Sequence, residues 1–191
     1  MIENFSKNLF TVSNLLSFMR LLIAVPLWFM LPDIGKTETR IIVMILIFIG
    51  AVTDFLDGYL ARKLNQVSEL GKIIDPLADK ISVAIVAVRL YGLGMLNPWL
   101  FWAIILRDIL IVAGGIYISG RIKNVTPSNM VGKITVTIIA FYLVGIMLGA
   151  TPGELIHDIL LYSSFSAIII SFSIYTYTSL KKLKDVNIQK H

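Results

Sequence analysis

The sequence predicts an all-α integral membrane protein with six transmembrane helices and a short N-terminal interfacial segment. Three observations carry that reading. The chain is 57% apolar over its 191 residues, where a soluble domain holds about 45–50%. Its mean hydropathy is +0.82. Its apolar residues gather into six runs separated by short polar links, each near the ~20 residues that cross a bilayer as a helix.

The runs are 9–31, 40–62, 71–95, 98–119, 130–150 and 155–180. Phe5-Ser6-Lys7-Asn8 precedes the first as the interfacial segment. A polar loop from Pro32 to Arg40 separates the first run from the second, and Leu64 to Glu69 link the second to the third. Gly92 and Gly94 close the third run, and Asn97-Pro98 opens the fourth. Arg121 and Lys123 close the fourth. Pro127-Ser128 opens the fifth, with Ser128 as its expected N-cap. Thr151-Pro152-Gly153 divides the fifth from the sixth. There is no repeat and no low-complexity tract, so residues 1–191 read as a single transmembrane domain. The first eight residues lack the basic start and cleavage site of a signal peptide.

Charge sets the expected orientation. Arg62, Lys63, Lys72, Arg121, Lys123 and the C-terminal lysines share one side of a six-span layout. The opposite loops hold Lys36 and Arg40, offset by Asp33 and Glu38. Positive charge stays inside, so both termini are expected on the cytoplasmic side of the cell membrane. The net charge of +5 then suits anionic lipid and needs no nucleic acid. With no cysteine, disulfides and thiolate metal sites are excluded.

Four aspartates interrupt this apolar chain: Asp54, Asp57, Asp75 and Asp79. Unpaired near the bilayer centre, they would cost on the order of 10 kcal/mol together. Each pair, three or four residues apart, lies on one face of its helix. The short link between the helices makes them expected antiparallel neighbours. Facing carboxylate pairs can enclose hard divalent cations such as Mg²⁺ or Mn²⁺. Gly58, Ala61 and Gly71 clear space beside them, and Arg62 can neutralise a phosphate. The set describes a metal-bound diphosphate site. Interhelical salt bridges with Arg62, Lys72 or Lys80 are an alternative use of the aspartates. A cation pathway is another, but it leaves Gly58, Ala61, Arg62 and Gly71 without a role.

The pattern D-x2-D-G-x2-A-R-x8-G-x3-D-x3-D resembles the signature of the CDP-alcohol phosphotransferases. Asp54, Asp57, Gly58, Ala61, Arg62, Gly71, Asp75 and Asp79 match every specified position. Chance agreement is on the order of 10⁻¹⁰ per window at residue frequencies of roughly one in twenty. The resemblance implies six spans, a homodimer and a site at the cytoplasmic face. It implies a phosphatidyl transfer from CDP-diacylglycerol to an alcohol. Asp54, Asp57, Asp75 and Asp79 would hold metal, as two Mg²⁺ or Mn²⁺ ions, with Asp79 also the catalytic base. Gly58, Ala61, Arg62 and Gly71 would bind the CDP group.

Three further segments bear on the acceptor. Asn14, Ser17 and Arg20 fall broadly on one helical face and resemble the N-x2-T-x2-R opening of phosphatidylglycerophosphate synthases. Asn14 is placed with the CDP group and Arg20 with the acceptor. Arg107-Asp108 sits within the fourth run, either as an internal ion pair or as an arginine reaching an acceptor phosphate. That pair is closer to the CDP-alcohol type of cardiolipin synthase than to the R-E of phosphatidylglycerophosphate synthases. Gly132-Lys133-Ile134-Thr135 resembles a G-K-x-K-T segment, with Thr135 at the place of its second lysine. Arg20, Arg107 and Lys133 form the expected acceptor pocket, suited to a small phosphorylated alcohol. Glycerol 3-phosphate comes first, then phosphatidylglycerol, then an inositol phosphate. His157, Glu154 and Asp158, at the outer end of the sixth run, are expected at the surface.

Overall fold

A computed structural model describes residues 12–63, 71–122 and 130–188, with side chains at 18–19, 21–53, 80–114 and 130–181. Among the described residues the chain is all-helical, with six α-helices: α1 (Val12–Met30), α2 (Thr37–Lys63), α3 (Gly71–Gly92), α4 (Pro98–Ile122), α5 (Met130–Leu148) and α6 (Leu155–Ile188). A 3₁₀ turn, Leu31–Asp33, follows α1. Each helix coincides with one apolar run of the sequence. The expected interfacial segment at 5–8, the 64–69 link, Lys123 and the expected cap Ser128 lie outside the described residues.

Local chemistry explains the helix ends. Asn97 caps α4: its Oδ1 accepts from the backbone N–H of Trp99 (3.0 Å) and Leu100 (3.2 Å). Pro98 follows at the first helical position, where no N–H is needed. At the end of α5, Gly149 takes φ +104°. Its N–H bonds the carbonyl of Ile146, and that of Ala150 bonds the carbonyl of Gly145. These bonds satisfy carbonyls that lack a helical partner. Ahead of α6, Glu154 accepts from both the N–H and the hydroxyl of Thr151 (3.3 and 2.8 Å).

The helices fall into two compact units, Met1–Gly94 and Met95–His191. In the first, α1 packs along both α2 and α3. Among the described residues its buried side chains are apolar: Ala24, Leu27, Leu31, Ile34, Val43, Val86, Ala87 and Leu90. Ala24, Leu27 and Leu31 recur at the spacing of one helical face. Arg89 of α3 closes the end of α1. Its Nε donates to the carbonyl of Trp28 (3.1 Å), and its guanidinium lies 4.9 Å from the centre of the indole. A last-turn carbonyl is thereby satisfied, with a cation–π contact beside it.

In the second unit, α6 packs against both α5 and α4. Leu143, Ile146, Met147, Leu161 and Ile168 are buried there, together with Arg107, Thr135, His157, Ser164 and Ser171. Trp99, Trp102, Leu106, Ile109 and Val112 of α4 are exposed instead. Large apolar groups thus lie on the outside while several polar groups join the apolar interior, as suits a helix bundle in lipid. Met130–Leu148 and Leu155–Lys181 are each long and apolar enough to cross a membrane. Close packing between these helices uses small residues. A Cβ on Gly114 would meet the Tyr175 ring at 3.2 Å, and one on Gly145 would meet Leu160 at 2.9 Å.

Candidate active site

The eight motif positions divide between two helices. Asp54, Asp57, Gly58, Ala61 and Arg62 lie on α2; Gly71, Asp75 and Asp79 lie on α3. Helical backbone at these positions puts each aspartate pair on one face of its helix. Asn14 and Arg20 lie on α1, which packs along both motif helices. One unit therefore carries the four aspartates, Asn14, Arg20 and Arg62. The side chains of all ten residues lie outside the described residues. One turn beyond Asp79 on α3, Ser82 has a buried Oγ with no hydrogen-bond partner among the described residues.

Arg107 and Lys133 belong to the second unit. Arg107 is 6% exposed. Its Nη1 donates to Asp108 Oδ1 at 2.6 Å, and its Nη2 to Ser171 Oγ of α6 at 2.9 Å. The same Nη2 lies 3.4 Å from where a Cβ on Gly132 of α5 would stand. Three helices thus meet at one guanidinium, whose Nε is buried without a partner among the described residues. Lys133, next to Gly132, is exposed. Thr135 is 1% exposed. Its hydroxyl faces the carbonyls of Val131 (2.8 Å) and Ala167 (3.2 Å), which joins α5 to α6.

His157 corrects the sequence expectation. It is 4% exposed and lies inside the second unit. Its Nε2 meets the hydroxyl of Tyr142 at 3.2 Å, and its Nδ1 meets Asp158 Oδ1 at 3.0 Å. The ring thereby bridges the tyrosine hydroxyl and the carboxylate. Asp158 also faces the N–H of Gly153 at 3.4 Å. Burial follows because an α5–α6 hairpin brings Tyr142 over the first turn of α6. Ser171 and Tyr142 were not singled out from the sequence. The available signal for α6 was a stripe of Ser164, Ser171 and Tyr175 at helical spacing within an apolar run.

The chain matches the CDP-alcohol phosphatidyltransferase family over residues 10–175, and it belongs to that family. Among named relatives, it is similar to a CDP-diacylglycerol–glycerol-3-phosphate 3-phosphatidyltransferase of Aquifex aeolicus. The two are 36% identical over 138 residues, 71% of this chain and 74% of the relative. A protein of the same name from Bacillus subtilis is 35% identical over 59% of this chain and 58% of its own length. A cardiolipin synthase (CMP-forming) of Streptomyces coelicolor is 34% identical over 53% of this chain and 48% of its own.

Proposed function

We propose that this chain transfers a phosphatidyl group from CDP-diacylglycerol to glycerol 3-phosphate, releasing CMP and forming phosphatidylglycerophosphate. The observation that carries the reading is the complete eight-position motif, borne by two helices that share a third. Family membership and the named relatives of Aquifex and Bacillus support it. All six helices span the membrane in this reading. At 1.5 Å per residue even the shortest covers most of the hydrocarbon thickness, and the exposed large apolar side chains of α4 agree. The basic residues place both termini and the motif on the cytoplasmic side. In this reading residues 1–191 act as one catalytic domain, which the family match across both units supports, and the chain works as a homodimer.

The chemistry follows from the donor set. Four carboxylates on α2 and α3, with a Ser82 hydroxyl that has no partner among the described residues one turn on, are an all-oxygen donor set that fits hard divalent ions. Two Mg²⁺ or Mn²⁺ ions held by Asp54, Asp57, Asp75 and Asp79 would polarise the diphosphate and stabilise the charge on departing CMP. Asn14, Gly58, Ala61, Arg62 and Gly71 hold the CDP group, with Arg62 set against phosphate charge. Asp79 takes the proton of the acceptor hydroxyl. The acceptor oxygen bonds to the phosphorus that carries diacylglycerol. The bond from that phosphorus to the bridging oxygen breaks, and CMP leaves with that oxygen. Arg20, Arg107 and Lys133 orient the phosphate of the acceptor.

One observation favours a second acceptor. Arg107 is followed by Asp108 and paired with it, and the chain is also similar to a cardiolipin synthase. Phosphatidylglycerol would then take the place of glycerol 3-phosphate, with the same bond changes. The test is CMP release by the purified protein with CDP-diacylglycerol and a divalent ion. Glycerol 3-phosphate, phosphatidylglycerol and inositol phosphate are each offered as acceptor. Release that depends on glycerol 3-phosphate is the expected result.

A further inference from the structure

The hydroxyl groups of α6 have a common habit. Ser163, Ser164, Ser166, Thr176 and Thr178 each donate to a carbonyl three or four residues back in their own helix. That is the usual use of such groups in an apolar helix. Ser171 is used differently. It is 3% exposed, and its oxygen accepts from Arg107 Nη2 at 2.9 Å. The carbonyl one turn back, that of Ala167, is approached by Thr135 of α5 at 3.2 Å. Thr135 thereby competes for the acceptor on which Ser171 would otherwise spend its proton. Below this level Tyr175 donates to the carbonyl of Ile111 at 2.9 Å. Arg107 and Ile111 on α4 thus face Ser171 and Tyr175 on α6, one turn apart on each helix, so the two helices run parallel.

The guanidinium has five N–H groups. Asp108 and Ser171 each engage one terminal nitrogen, and Gly132 leaves room for the second of these. Nε remains buried, without a partner among the described residues. A buried donor without an acceptor is unfavourable and calls for an explanation. An anionic ligand that reaches Arg107 would supply the missing acceptor.

We propose that Ser171 is a positioning residue for acceptor binding: with Asp108 it fixes the plane of the Arg107 guanidinium, leaving the remaining donors for an acceptor phosphate. This rests on the reading of Arg107 as an acceptor-binding residue. Ser171 does not touch the acceptor; it acts through Arg107. It distinguishes the acceptor from CDP-diacylglycerol, whose binding residues lie in the first unit.

The test uses the full chain in lipid nanodiscs, with the Ser171→Ala, Ser171→Cys and Ser171→Thr variants. Each is assayed with whichever acceptor supports CMP release by the unaltered protein. That choice separates the two readings: use of phosphatidylglycerol alone rejects glycerol 3-phosphate as acceptor and still permits the Ser171 measurement. A hydrogen bond to a charged group is lost in the alanine variant, so its acceptor KM should rise roughly tenfold. The KM for CDP-diacylglycerol should stay the same, and the thermal midpoint should fall only modestly, as Nη2 loses its buried partner. Threonine, which retains the hydroxyl, should restore the acceptor KM, and cysteine should fall between. Unchanged acceptor KM in the alanine variant overturns the proposal. So does a parallel fall in thermal midpoint and in every kinetic parameter, which would make Ser171 a helix-packing residue only. If the alanine variant does not accumulate, the cysteine variant is read by the same criteria.

Discussion

The first unit has a described core of aliphatic side chains, Ala24, Leu27, Val43, Val86 and Leu90 among them. The second buries Arg107, Thr135, His157, Ser164 and Ser171 within its apolar packing. In the first, the proposed chemistry rests on one short motif written along the chain on α2 and α3. In the second, polar groups far apart in sequence are brought together by packing: Arg107 with Ser171, Thr135 with the Ala167 carbonyl, Tyr142 with His157. Hydrophobic attraction does little to hold helices together in lipid. A membrane helix bundle therefore relies on small-residue contacts and internal hydrogen bonds. The second unit shows both among its described residues; in the proposed reading the first unit carries the residues that perform the reaction and the second those that position the acceptor.

That division leads to a graded set of expected effects. The largest belongs to the first unit. Asp54→Asn, Asp57→Asn or Asp75→Asn should abolish CMP release while membrane insertion persists, and excess chelator should do the same to the unaltered protein. Full activity in chelator would remove divalent ions from the account. Next comes Asp79→Asn. Loss of a general base lowers turnover by roughly 10²–10⁴-fold, and CDP-diacylglycerol affinity should change far less. Loss of nucleotide binding with normal turnover at saturation would reassign Asp79.

The second unit should answer through the acceptor. Neutralising Lys133 or Arg107 should raise the acceptor KM roughly tenfold to a hundredfold, given the strength of a charge-assisted contact, and spare the CDP-diacylglycerol KM. Arg107→Ala alone strands Asp108, so the double change with Asp108→Asn is its control. Flat KM values for both substrates would return Arg107 to a purely internal role.

The smallest catalytic effect is expected at Tyr142→Phe. This change leaves His157 Nε2 without its 3.2 Å partner. The cost is about 1–3 kcal/mol of stability, seen as a lower thermal midpoint with unchanged turnover. Lost turnover at an unchanged midpoint would blur the contrast between the units, because it would give chemistry to a network assigned to packing.

The same contrast explains what the sequence made legible. Six apolar runs correspond to six helices because run length and loop polarity are local properties. Asn97-Pro98 is recognisable as a helix start for the same reason, and the described cap bears it out. The motif is legible because its members recur at fixed short spacings. Ser171 is hidden because its partner lies 64 residues away, and a serine in an apolar helix ordinarily bonds its own backbone. His157 looked exposed because Glu154 and Asp158 flank it in a polar turn. Its burial depends on Tyr142, fifteen residues earlier on the facing helix. Arg107 was legible as an ion pair with its neighbour, but its contacts with Ser171 and the space over Gly132 required three helices to be assembled.

The most direct measurement of the central claim is the product of the purified chain supplied with CDP-diacylglycerol, glycerol 3-phosphate and Mg²⁺ or Mn²⁺. The account predicts CMP and phosphatidylglycerophosphate in equal amounts, with both absent in the Asp57→Asn variant. CMP release that ignores glycerol 3-phosphate and requires phosphatidylglycerol would contradict the proposed acceptor. No CMP release with any alcohol would contradict the proposed transfer itself.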